Sequence, residues 1–113
     1  MPPSTADRLT DILSAIERIE RATRGKDLAQ FIADDIARGA TERFLAVACE
    51  AALRLPDSVK QLAPHIDWRE MNNFANLLRH AYHSTADKVW MIVQNDIPPL
   101  KSFVEGRIAT SGN

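Results

Sequence analysis

Between Arg69 and His83 the chain gathers side chains that can move protons and hold anions. His80 and His83 titrate near neutral pH and can act as general acid or base. Arg69 and Arg79 carry planar guanidinium forks that match the oxygens of a phosphate or carboxylate. Asn72, Asn73 and Asn76 add donors and acceptors without charge, and Tyr82 follows His80 by two residues. At ~100° per helical residue, Arg69, Asn72, Asn73, Asn76, Arg79, His80 and His83 share one broad flank. That flank lacks lysine, and Asn and His are only moderate helix formers. The residue types suit a surface that hydrogen-bonds a partner. A solvated face, or the polar half of a helix–helix contact, would read the same way, and a histidine at a helix end also favours the C-terminal dipole.

The elements that position this flank are helical. Leu9, Ile12, Leu13, Ile16 and Ile19 recur at three- and four-residue spacing, which predicts a helix over 5–24, opened by a Ser4–Asp7 cap and stopped by Gly25. Asp27 caps a short helix carrying Leu28, Phe31 and Ile32. Residues 34–55 read as a long helix with Ile36, Phe44, Val47, Ala48, Ala51, Ala52 and Leu55 as its apolar side, a break near Gly39 and an end at Pro56. A short turn follows over 58–62. Asp67 caps the helix that carries the polar flank, with Met71, Phe74, Leu78 and Ala81 facing inward. A last helix bears Val89, Trp90, Ile92, Val93, Ile97, Leu100, Phe103, Val104 and Ile108, and Pro98-Pro99 kinks or breaks it. Residues 109–113 are expected to fray. The fold expected is an all-α four-helix bundle with one or two short extra helices, in a single domain over 1–113.

Composition narrows the function classes. The chain has 113 residues and a formal charge of −1, so one core is expected and a general nucleic-acid coat is excluded. Four glycines and one cysteine leave no phosphate-binding glycine loop, disulfide framework or cysteine-built zinc site. No apolar run approaches a membrane span, and no secretory leader is visible, so a cytoplasmic protein is expected.

Several blocks in combination resemble the HepT-like branch of the HEPN superfamily: Asp67-Trp68-Arg69-Glu70, Asn76-Leu77-Leu78-Arg79-His80-Ala81-Tyr82, Val89-Trp90 and Gln94-Asn95-Asp96-Ile97-Pro98-Pro99-Leu100. Leu9 to Ile19 and Ala48 to Ala52 also fit, so the likeness spans nearly the whole chain. It implies a homodimeric helical bundle acting as the toxin of a HepT/MntA-type (type VII) toxin–antitoxin module. The activity it implies is metal-independent RNA cleavage at a dimer-interface cleft, with no cofactor. The partner it implies is a minimal nucleotidyltransferase antitoxin that adds AMP units to the motif tyrosine. On that pattern His80 is the catalytic histidine, Tyr82 the modified residue and Asn76 the asparagine after the motif arginine.

The arginine position itself holds Ala75. Three readings stay open. Arg79, one turn on and ~40° around the helix, supplies the guanidinium. Alternatively the protein is a degenerate member that serves as binding partner or AMPylation substrate. Or the alanine is a replacement that silences an active toxin. On the first reading His80 and Arg79 are catalytic, and Asn72, Asn73, Asn76, Arg69 and His83 bind substrate.

Other groups read more plainly. Asp7 with Asp11, and Asp34 with Asp35, suit helix N-termini better than a metal. Arg18, Arg21, Arg24 and Lys26 form a basic stripe open to RNA or antitoxin contact. His65 falls in a loop. Cys49 sits among alanines as a buried thiol, and Trp68 and Trp90 read as packing anchors rather than base-stacking platforms.

Overall fold

The computed structural model describes residues 4–79 and 86–111. All of its regular structure is helical: α1 (Thr5–Thr23), α2 (Leu28–Ala33), α3 (Asp35–Leu53), α4 (Asp57–Lys60), α5 (Trp68–Arg79), α6 (Ala86–Asn95) and α7 (Ile97–Ser111). With α6 and α7 counted as one broken helix, the all-α four-helix bundle with two short helices is realised.

Local chemistry sets the boundaries. Ser4 and Asp7 close a reciprocal capping box on α1, and Asp27 with Gln30 closes another on α2. Gly25 takes φ +75, the left-handed conformation that ends a helix cheaply only for glycine. Asp34 then accepts from the Ala37 amide to start α3. The break before α7 falls at Asp96, ahead of the two prolines. Pro98 and Pro99 occupy the first turn of α7, where their missing N–H groups leave no ladder bond unmade.

Three expectations are corrected. Helix α3 runs through Gly39 without a break, because an isolated glycine costs only ~1 kcal/mol in a helix interior. Its buried face is also rotated from the one expected. Ile36 is 81% exposed, while Ala37, Thr41, Leu45, Ala48, Cys49 and Ala52 are buried. The physical reason is that α3 is the central helix, packed on α1 along one side and α5 along the other. Ala37, Thr41, Ala48, Cys49 and Ala52 are small and let the neighbouring helices approach closely, with Leu45 filling the space between them. Finally, α7 stays helical to Ser111 rather than fraying from residue 109.

Both tryptophans anchor packing. Trp68 donates its indole N–H to the carbonyls of Lys60 and Ala63 at 3.0 and 3.2 Å and meets Phe103 edge-on. Trp90 lies 5.2 Å from Phe31, whose ring is fully buried. No described helix is long and apolar enough to cross a membrane.

Candidate functional site

Helix α5 carries the polar flank, and its start is built as the sequence predicts. The Glu70 amide donates to Asp67 Oδ1 at 3.1 Å. Met71, Phe74 and Ala75 turn into the core, which leaves Arg69, Asn72, Asn73, Asn76 and Arg79 exposed. His80, Tyr82, His83 and Ala81, which the sequence expects to face inward, lie outside the described residues.

The flank divides into two edges. Asn73 and Arg79 are ~120° apart on the helix. Asn73 Nδ2 donates to Glu70 Oε2 at 3.0 Å and borders a cleft of about 350 Å³ between α5 and α6, whose wall includes Phe74, Leu77, Met91 and Ile92. Arg79 turns the other way, toward α3. Its Nη1 donates to Asn76 Oδ1 at 3.2 Å, and its Nη2 to Glu50 Oε1 at 3.4 Å. The structure therefore brings Asn76 and Arg79 together, sets Asn73 apart from them, and leaves Asn72 and Arg69 open to solvent.

The Arg79–Glu50 pair is half exposed on both sides, at 55% and 41%. An ion pair of that exposure is worth ~1 kcal/mol or less, so a phosphate can displace the carboxylate. Sequence reasoning missed Glu50. It lies 29 residues from Arg79, and no local spacing connects the two.

Two further groups carry shifted titration. Burial pushes the Cys49 thiol up to about 12, with the nearby Asp96 and Glu50 carboxylates adding to it. A thiol held that high stays protonated and is no nucleophile at neutral pH. Asp96 is pushed up by desolvation first, then by the charges of Glu70 and Asp67. Its position explains the missing relief. A residue just before a helix usually accepts from the second or third helical amide, and in α7 those positions are Pro98 and Pro99.

A family model described as ribonuclease HepT-like matches residues 12–106. The chain belongs to the HepT-like ribonuclease family. It is 40% identical over 106 residues to a Thermococcus cleftensis protein named "Probable ribonuclease HepT", covering 93% of this chain and 96% of that one. Two Methanocaldococcus jannaschii proteins named as RNases are each 31% identical. One alignment covers 86% of this chain and 90% of the relative, the other 86% and 84%. No solved structure gives a significant match.

Within this HepT-like chain the position of Ala75 has a physical consequence. Ala75 is 1% exposed and part of the core cluster, whereas Arg79 on the next turn is exposed. As the helix stands, the outer surface is reached by a guanidinium at residue 79 and not from residue 75.

Proposed function

We propose that this HepT-like protein is the toxin component of a HepT/MntA-type toxin–antitoxin module. On this reading it is a cytoplasmic, single-domain ribonuclease that cleaves RNA without a metal at a cleft formed by a homodimer. The observation that carries the reading is membership in the HepT-like ribonuclease family over residues 12–106. The exposed Arg79, directly before His80, supports it.

The chemistry follows from the residue types. The 2′-hydroxyl of the RNA attacks the adjacent phosphorus while the P–O5′ bond breaks. A histidine takes the 2′ proton, and a histidine or water returns one to the departing 5′ oxygen. Two copies of His80 in one dimer cleft divide those tasks. The charge that builds on the phosphate oxygens needs a fixed cation, and Arg79 directly precedes His80 in the chain. Asn72, Asn73, Asn76, Arg69 and His83 bind and orient the strand around them. The cognate nucleotidyltransferase silences the site by adding AMP to Tyr82, which places a charged, bulky group two residues from His80.

The test is cleavage of a structured RNA by antitoxin-free protein in the presence of EDTA. Arg79→Ala and His80→Ala are each expected to lose about 100-fold or more in kcat/KM, the scale of a removed transition-state contact or acid/base. Wild-type protein that cuts no faster than either variant overturns the assignment. It would favour the second reading, a non-catalytic partner and AMPylation substrate, for which the buried Ala75 speaks. Intact mass after co-expression with the nucleotidyltransferase reads the Tyr82 modification directly, and Tyr82→Phe must abolish any gain.

A further inference from the structure

We propose that Arg18 and Arg43 form a second station for the RNA backbone, which holds a phosphate of the strand that reaches Arg79. The inference rests on the ribonuclease reading above and adds a place where the substrate is gripped away from the cut.

The two arginines come from different helices. Arg18 on α1 and Arg43 on α3 line one cleft of about 170 Å³ together with Asp11, Ser14, Phe44 and Val47. That is several times the ~30 Å³ that a water occupies in the liquid, so a phosphate group fits. Arg18 is held before any ligand arrives. Its guanidinium donates to the hydroxyl of Ser14 and to the Ser14 carbonyl, and lies 5.6 Å from the centre of the Phe44 ring. All three partners are neutral, so the group is fixed in place without a carboxylate partner among the described residues. Arg43 is exposed and has no ion pair among the described residues.

The surroundings are positive even though the whole chain is not. Arg21 and Arg24 line the adjoining cleft with Ser14, Glu17, Arg18 and Glu20. Glu20 is taken by Lys101 of α7 at 2.9 Å. That leaves four arginines facing two uncommitted carboxylates, Asp11 and Glu17. None of the large exposed apolar side chains lines either cleft. A protein-binding face needs apolar anchors at its centre, whereas nucleic-acid surfaces are polar and positive. The patch therefore fits RNA.

Helix α3 joins this patch to Arg79. Arg43 and Glu50 are seven residues apart on one outward ridge, ~10.5 Å along the axis and ~20° around it. Glu50 holds Arg79. The distance corresponds to roughly three stacked nucleotides of one strand, so a strand lying along the ridge of α3 can touch Arg43 and Arg79 at once.

The test uses fluorescence anisotropy with a fluorescein-labelled 20-nucleotide uridine RNA and a His80→Ala background, which stops cleavage. Arg18→Gln with Arg43→Gln is expected to raise Kd about five- to twentyfold at 100 mM salt. It should also flatten log K against log[salt] by about 0.7, the share of one lost single-strand phosphate contact. Thermal melting by circular dichroism checks that the fold is kept. An unchanged Kd and slope, with the His80→Ala protein binding this RNA and wild type cutting it, overturns the station and leaves the ribonuclease reading intact. Absence of both binding and cleavage in every form overturns both. Unchanged RNA binding with lost capture of the nucleotidyltransferase makes the patch a protein contact, and also overturns the proposal.

Discussion

At the scale of single residues, Ala75 and Arg79 show how burial assigns roles. An arginine at position 75 would force a long charged side chain into the packed core of the bundle. Overpacking of that kind costs ~1–3 kcal/mol, so Ala75→Arg is expected to lower the midpoint of urea unfolding accordingly. Its activity should not exceed wild type if Arg79 already supplies the cation. A variant of unchanged stability, or one with activity raised tenfold, would show that residue 75 can reach the substrate after all. Glu50 sits on the other side of the same question. If Arg79 binds the RNA phosphate as proposed, Glu50 competes for it, so Glu50→Gln is expected to lower KM a few-fold with little change in kcat. A lower kcat with unchanged KM would make Glu50 a positioning residue instead.

At the scale of elements, two aspartates at helix starts respond to pH in opposite directions. Asp34 accepts from the Ala37 amide, which holds its carboxyl below the ordinary 3.8. Its contribution is present above that value and fades as the pH falls through the lower folded one. Asp96 is raised by desolvation and by Glu70 and Asp67. The proton-bound form is favoured in the fold, so that contribution is complete below 3.8 and disappears as the pH rises through the folded value. At pH 7, Asp34→Ala is therefore expected to lower Tm and Asp96→Asn to raise it. Both differences should shrink toward pH 3. An Asp96→Asn protein that melts lower at neutral pH would show that the charged carboxylate has a partner that stabilises it.

At the scale of the whole molecule, the near-zero net charge and the local arginine patch belong together. With a charge of −1, long-range attraction for RNA is weak, and on the proposed reading binding depends on the few cations placed on the α1–α3–α5 face. If the cleavage site is completed by a second copy, specific activity should rise with protein concentration until the dimer is fully formed. Mixing wild type with excess His80→Ala protein should then depress the rate below that of the diluted wild type. Constant specific activity over a thousandfold range, with no effect of mixing, would show that one chain suffices.

The helix order, the caps at Ser4, Asp27 and Asp67, the Gly25 stop and the interruption at Pro98-Pro99 were legible along the chain, because each depends on neighbours a few residues apart. So was the exposed set Arg69, Asn72, Asn73, Asn76 and Arg79, since helical periodicity alone puts it opposite Met71 and Phe74. The tertiary structure decided the rest. Hydropathy placed Ile36 inside, but the packing of α3 against α1 and α5 leaves Ile36 in solvent and buries Ala37, Thr41 and Cys49 instead. Only packing shows that Glu50 holds Arg79 and that Arg18 and Arg43 line one cleft. Those pairings join residues far apart in the chain, and a sequence carries no signal for a contact until two helices are laid side by side.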